Sequence, residues 1–268
     1  MTSKMFVPFH DGVISQFEGY EHLAELDWNA YRARYPNIGR LDLILEAEGD
    51  TSNRYKLSKQ ADTLMLFYLL SAEELRELLV GLGYPLTPET ILRTVDYYLA
   101  RTAHGSTLSR VVDAWILARS DRQRSWSYFI EALAADVADT QGGTTAEGIH
   151  LGAMAGTLDI VQRCYTGLEA RDGVLWLNPQ LPPELGSIEL NVLYRGFWLS
   201  LDVTDVRVRI SAAPCSARPI RIGVAGQIVD VLPGETHELD LRARDSAPPE
   251  MVLDRATGLR AELADHAG

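Results

Sequence analysis

The 268-residue chain carries 25 Lys and Arg against 37 Asp and Glu, a formal charge of −12. With no run of basic residues to neutralise phosphates, that balance excludes a nucleic-acid binder. Apolar residues at 46% and charged residues at 23% exclude wholesale disorder, and the length suffices for a sizeable core.

The N-terminus, MTSKMFVPFHDG, shows no apolar region ahead of a small-residue cleavage site, so no secretory signal is read there. No apolar run approaches the roughly 20 residues that cross a bilayer. Cys164 and Cys215 are too few for a disulfide framework or a zinc ribbon. The chain reads as soluble and cytoplasmic, with neither nucleic acid nor membrane as partner.

Up to about Cys164 the apolar pattern is helical. Leu64, Phe67 and Leu70 recur at helical spacing after Ser58, and Ile91, Val95 and Tyr98 follow Thr87-Pro88-Glu89, a helix start with Pro in the first turn. Val111, Val112, Trp115 and Ala118 make a third face, and Trp126, Phe129, Ile130, Leu133 and Val137 a fourth. Short breakers separate them, so helical hairpins are expected. From Ile188 the period drops to two: Ile188, Leu190, Val192 and Tyr194, then Val206, Val208 and Ile210, then Ile220, Ile222 and Val224 before an Ala225-Gly226 reversal. Leu232-Pro233-Gly234-Glu235 is a further turn. Such strands suggest an antiparallel sandwich or jelly roll. The expected domains are a helical part over 1–166, a linker over 167–183 with the Pro-rich stretch Asn178 to Pro183, a β-domain over 184–242 and a loosely held tail over 243–268.

Three polar clusters lie between the helices. Lys59-Gln60 opens a helix and offers a cation beside an amide, suited to several sugar hydroxyls or simply to a solvated helix start. Thr102-Ala103-His104-Gly105-Ser106-Thr107-Leu108-Ser109 combines an imidazole, hydroxyls, a free glycine backbone and the positive end of the next helix. These suit an oxyanion, although Ser and Thr are also ordinary N-caps. In QGGTTAEGIHLG, Glu147 and His150 stand three apart on one expected helix face. A Glu-x-x-His pair forms half of a di-metal site, but the sequence has no second copy, so no metal is expected.

In chain order, VISQFEGY, SKQAD, RTAHGSTLS and GGTTAEGIHLGAMAG resemble the C-terminal part of a glycoside hydrolase family 65 protein. That family includes the maltose, trehalose, kojibiose and nigerose phosphorylases and related hydrolases. The resemblance implies the second half of an (α/α)6 barrel followed by a small antiparallel β-sandwich. It implies that Lys59 and Gln60 hydrogen-bond the glucose on the non-reducing side of the scissile bond. It also implies that His104, Ser106, Thr107 and Ser109 bind inorganic phosphate, the co-substrate in a reaction needing no cofactor. Glu147 and His150 are kept as supporting residues, with Glu147 the alternative base.

Phosphate would invert the anomeric carbon of an α-linked glucose disaccharide, giving β-glucose 1-phosphate, whereas an inverting hydrolase needs a second carboxylate to activate water. The loop around His104 has no Asp or Glu, which favours phosphate. Family members are several times longer and carry their general acid in a Pro-Asp-Glu-like segment of the barrel's first half. No such segment occurs here, since Pro-Pro-Glu at 182–184 lies outside the helical part. The expectation is a catalytic fragment without its general acid Glu, requiring an N-terminal half in cis or trans. Alone it should be inactive and prone to self-association through uncovered helix flanks. The other expectation is a non-catalytic carbohydrate- or anion-binding remnant.

Overall fold

A computed structural model describes residues 4–118, 120–140 and 144–241. They fall into two units, one made of residues up to Ser120 with Arg124–Gly156, the other of Thr157 onward with Asp121–Gln123. The expected tail over 243–268 and the segment Gln141–Gly143 lie outside the described residues.

The first unit opens with a hairpin, β1 (Phe9–His10) and β2 (Val13–Ile14), turned by Asp11 and Gly12 at positive φ. Helices follow as α1 (Trp28–Arg34), α2 (Leu41–Ala47), α3 (Met65–Leu69), α4 (Ala72–Gly81), α5 (Pro88–Leu99), α6 (Thr107–Leu117) and α7 (Arg122–Leu133). The last, α8 (Leu151–Asp159), continues into a π-helical turn over Ile160–Tyr165. Local chemistry fixes several starts. Ser71 and Glu74 form a reciprocal capping box on α4, and Thr87 caps α5 ahead of Pro88 by accepting from Thr90 N at 3.1 Å. α5 buries Ile91, Val95, Tyr98 and Leu99 in a core shared with Leu64, Leu75, Leu79, Val112 and Leu117. Tyr98 Oη donates to Ile14 O at 2.9 Å and Ile14 N donates to Thr94 Oγ1 at 3.2 Å, so the N-terminal hairpin is pinned to α5. Gly156 on α8 packs against Val111, whose Cγ1 would lie 2.5 Å from an added Cβ.

Two helical expectations need correction. The apolar face expected through Val137 is buried only at Phe129; Ile130, Leu133 and Val137 are exposed. α7 stops at Leu133, so Val137 shares no helix with the rest, and the described residues leave the Ile130–Leu133 flank uncovered. Glu147 and His150 do not share a helix face. Glu147 ends a 3-10 turn over Thr144–Glu147, and Gly148, at φ 137, breaks the chain before α8 begins at Leu151.

The second unit holds two four-stranded sheets, one ordered β10-β7-β6-β5 and the other β3-β4-β8-β9. The strands are β3 (Glu169–Arg171), β4 (Val174–Leu177), β5 (Ser187–Tyr194), β6 (Phe197–Thr204), β7 (Arg207–Ala212), β8 (Ile220–Val224), β9 (Gln227–Val231) and β10 (Thr236–Asp240). Alternate residues are buried as the period-two pattern requires: Phe197, Leu199, Leu201 and Val203 on β6, Val208 and Ile210 on β7, Ile220 and Ile222 on β8. Pairing is antiparallel throughout except between β4 and β8, which run parallel and are separated in the chain by β5, β6 and β7 of the first sheet. The span 167–183 is therefore more than a linker. It contributes β3 and β4, joined by Asp172-Gly173 at φ 51 and 77, and the stretch Asn178 to Pro183 after them forms no strand or helix. An Asp-Gly dipeptide before Val-Leu-Trp-Leu is a strong hairpin signal that the proline-rich composition nearby obscures.

Candidate functional site

The decisive local feature is a short parallel ladder between segments distant in sequence. Ser58 pairs with Thr102: Ser58 N donates to Arg101 O at 2.8 Å, Ala103 N to Ser58 O at 2.9 Å and Gly105 N to Lys59 O at 2.8 Å. The Lys59-Gln60 segment and the His104 loop thus lie edge to edge. Gly105 is required at this junction, because an added Cβ would sit 2.7 Å from Gly39 O and 2.9 Å from Lys59 Cγ.

Two clefts open around this junction, and both are lined by Gly39 and Ala103. The first, about 320 Å³, is lined among others by Gln16, Phe17, Tyr20, Asp42, Tyr55 and Lys59. Lys59 Nζ donates to Asp42 Oδ2 at 3.1 Å. Burial works against the Asp42 carboxylate, but hydrogen bonds from Arg40 and Lys59 outweigh it and hold the pKa below its ordinary value. Gln60 does not line either cleft; its Nε2 donates to Asp62 Oδ1 at 2.9 Å. Gln16 Nε2 donates to Asp62 Oδ2 at 3.0 Å and Ser58 Oγ to Gln16 Oε1 at 3.2 Å, so an amide–carboxylate–amide chain links Gln16, Asp62 and Gln60. Aromatic rings beside paired polar groups suit a polyol, which offers apolar ring faces and many hydroxyls.

The second cleft, about 200 Å³, is lined by Arg32, Asn37, Thr102, His104, Arg110 and Thr140 among others. His104, itself at φ 55, packs its ring 5.6 Å from that of Tyr128, and its Nδ1 lies 3.5 Å from Asp113 Oδ2. Asp113 is fully buried on α6. Desolvation pushes its pKa up to about 7, against the pull of Arg110 and Arg124. Desolvation, followed by repulsion from Arg110 and Arg32, pulls His104 down to about 4. Burial thus favours the neutral form of both partners.

Of the expected phosphate ligands, only His104 lines a cleft. Ser106 caps α6, accepting from Leu108 N at 3.3 Å, and Thr107 and Ser109 are buried with the apolar face of that helix. Ser106 therefore acts as the N-cap of α6, a bond that does not consume its own O–H. His150 Nδ1 lies 2.5 Å from Asp136 Oδ1, and its backbone N–H donates to Asp136 Oδ2 at 2.9 Å. The His150 hydrogen bond leads the effects that lower the Asp136 pKa. The Glu147 side chain lies outside the described residues. Among the described residues no group of three His, Cys, Asp or Glu side chains could hold a metal ion, and no helix is long and apolar enough to cross a membrane.

Sequence reasoning missed Gln16, Asp42, Arg32, Arg110 and Asp113. VISQFEGY contains Gln16, and Asp113 was detectable as the one acid interrupting the apolar face of α6.

Residues 1–159 match the model of the glycosyl hydrolase family 65 central catalytic domain, and residues 168–231 match that family's C-terminal domain. The chain belongs to glycosyl hydrolase family 65.

Relatives of this family 65 chain include an uncharacterized glycosyl hydrolase of Mycobacterium tuberculosis strain H37Rv, 56% identical over 89% of this chain and 18% of the relative. A trehalose 6-phosphate phosphorylase of Lactococcus lactis is 39% identical over 76% of this chain and 26% of the relative. A kojibiose phosphorylase of Caldanaerobacter subterraneus is 30% identical over 85% and 28%. The chain therefore spans 18% to 28% of the length of these relatives. A solved human-microbiome chain, provisionally named a kojibiose phosphorylase, shares the fold at a TM-score of 0.65 with 20% identity, over 88% of this chain and 29% of that one.

Proposed function

We propose that this chain supplies the glucose- and phosphate-handling part of an inverting disaccharide phosphorylase acting on α-linked glucose disaccharides. The observation that carries the reading is the ladder from Ser58 to Gly105, which sets the Lys59 cleft beside the His104 cleft. Lys59, with Gln60 once it leaves Asp62, holds the glucose; His104 and the N-terminal end of α6 hold the phosphate. A phosphate oxygen attacks the anomeric carbon from the face opposite the scissile bond. That carbon–oxygen bond breaks, its electron pair stays on the departing sugar's oxygen, and the anomeric centre inverts. The departing oxygen needs a proton from a general acid contributed by the rest of the barrel.

Phosphate is favoured over water as nucleophile because no carboxylate lines the second cleft, and Asp113, the carboxyl group beside His104, is fully buried. The exposed Ile130, Leu133, Val137, Ile149 and Leu151 support a need for further barrel helices. Without the general acid the rate falls about 10² to 10⁴-fold, so the isolated chain should be inactive and self-associating. Incubation with α-linked glucose disaccharides, of this chain alone and joined to the remaining barrel, tests the reading. Phosphate-dependent release of β-glucose 1-phosphate only from the joined protein is expected. Phosphate-independent release of glucose would make the protein a hydrolase and overturn it.

A further inference from the structure

The solvent face of the sheet ordered β10-β7-β6-β5 is laid out in rows, and one of them departs from what such faces need. An antiparallel sheet packed on one side turns mainly polar residues to water on the other. Here Leu193 on β5 stands directly opposite Trp198 on β6, and both residues are 59% exposed. On the other side of Trp198 comes Ala213, also exposed, whose N–H donates to Trp198 O at 2.9 Å. No bulky side chain stands at that neighbouring position, and the indole keeps much of its surface open.

The next row on the same face lies about 7 Å along the strands. It consists of four short neutral polar residues, one from each strand. The register sets Asn191 opposite Ser200, Ser200 opposite Ser211 and Ser211 opposite Thr236. Ser200 Oγ donates to Asn191 Oδ1 at 2.7 Å, and Thr236 Oγ1 donates to Ser211 Oγ at 3.1 Å. These bonds order the side chains without exhausting them, since they leave the amide N–H groups of Asn191, the O–H of Ser211 and several lone pairs for a ligand. With strands about 4.8 Å apart, the row runs roughly 14 Å. Beyond it comes a row of Glu189, Asp202, Arg209 and Glu238, in which acids outnumber the single base.

These rows select among ligands. The acidic row repels a polyanion or an anionic membrane surface. The apolar row is too small for a protein partner: an aromatic side chain buries about 150–250 Å², whereas a stable protein interface takes about 800 Å² from each side. A sugar offers what both rows can use, an apolar ring face for the indole and hydroxyls for the amide and hydroxyl row. We propose that this face of the β-domain is a binding site for a chain of neutral sugars. Trp198 stacks on one ring, and Asn191, Ser200, Ser211 and Thr236 hydrogen-bond the hydroxyls of the units beside it. The polar row is longer than a single ring, so the ligand is an oligosaccharide rather than a monosaccharide. Holding such a chain is a task separate from turnover at the Lys59 and His104 clefts, and it does not depend on the phosphorylase reading.

The test follows the indole N–H signals of the five tryptophans in nitrogen-15 spectra of the 268-residue chain, titrated with maltoheptaose, cellohexaose and glucose. The Trp198 signal is the one missing from the Trp198→Phe variant. It should shift saturably with at least one of the two oligosaccharides and far less with glucose. Calorimetry in a Lys59→Met background keeps the cleft out of the comparison. There Trp198→Ala should weaken oligosaccharide binding at least about tenfold, the effect of removing a stacked aromatic surface, while Trp198→Phe, which keeps a flat ring, retains most of it. Because Trp198 is exposed, thermal melts of these variants should stay close to the parent. A Trp198 signal that neither oligosaccharide moves, or binding that Trp198→Ala leaves intact, overturns the proposal. So does a sedimentation result in which Trp198→Ala turns an associated chain into a monomer while no oligosaccharide binds, for the face would then be a contact between copies.

Discussion

The cleft around Lys59 and the cleft around His104 share Gly39 and Ala103, yet they differ in how their charges are settled. In the first, Lys59 and Asp42 neutralise one another at 3.1 Å, and aromatic rings supply much of the remaining wall. In the second, Arg32 and Arg110 face an imidazole that burial keeps neutral, and no acid lines the space. Internally paired charge suits a neutral ligand that offers hydroxyls, because nothing in the wall demands a counter-ion. Guanidinium groups on a wall with no acid suit an anion, although Arg110 also holds Glu131 outside the cleft lining. A chain of net charge −12 thus concentrates positive charge in one small concavity, where the local balance rather than the total decides what binds.

The largest expected effect comes from disturbing the wall itself. Gly105→Val puts side-chain carbon where Gly39 O and Lys59 Cγ already stand at 2.7 and 2.9 Å from the first added atom, and backbone oxygen cannot swing aside. Overpacking of this kind costs about 1–3 kcal/mol, read as a lower urea midpoint. Binding in both clefts should be lost together, since the Gly105 N to Lys59 O bond holds one to the other. If glucose and phosphate binding responded separately to this substitution, the clefts would be independent and the ladder would not be the organising feature.

A subtler effect concerns the buried pair behind the second cleft. Asp113 folds with its pKa raised from 3.8 to about 7, mainly by desolvation, so the stability tied to its protonated form is present below pH 3.8 and is lost as pH rises through about 7. His104 runs the other way. Its pKa is lowered from 6.5 to about 4, again mainly by desolvation, so its contribution is present above pH 6.5 and is lost as pH falls through about 4. Between about pH 4 and 6.5 the two slopes oppose each other, and the wild-type chain should show little net dependence from this pair. Asp113→Asn should uncover the histidine slope, with stability falling on acidification; His104→Gln should uncover the opposite slope. Urea midpoints measured across that range decide the matter. Identical pH profiles for the two variants would mean that the pair does not titrate as its burial requires.

What could be read from the sequence follows the same division between local and long-range causes. The Thr87-Pro88 start of α5, the Ala225-Gly226 reversal between β8 and β9 and the alternating apolar strands are set by neighbours in the chain, and they appear where the pattern puts them. The His104 loop lies between two helices as its composition suggests. The bridge from Ser58 to Thr102 left no local trace, because strand pairing between remote segments is recorded in neither one's periodicity. Arg32 and Arg110 look like ordinary solvated helix residues until the fold brings α1 and α6 to one cleft. Ser106 illustrates a double use: its oxygen accepts from Leu108 N as a helix cap, which leaves its O–H as a donor. Glu147 and His150 have helical spacing, but Gly148 between them breaks the helix that the spacing assumes.

The smallest stability effect sharpens the comparison furthest. Lys59 is about half exposed, and its bond to Asp42 is of the surface kind, worth about 0–1 kcal/mol. Lys59→Met keeps the length of the stem while removing the charge, so the melting temperature should move by no more than a degree or two, the shift a fraction of 1 kcal/mol produces in a chain of this size. Glucose binding should nevertheless drop sharply, because the side chain's hydrogen-bond donors disappear from the cleft and Asp42 keeps only its bonds from Arg40 and the Leu43 backbone. Phosphate binding beside His104 should be unaffected, since Lys59 does not line that cleft. Calorimetry with glucose and with phosphate on this one variant separates the two sites. A parallel loss of both ligands at unchanged stability would mean that Lys59 serves the anion as well, and that the wall between the clefts does not divide their ligands.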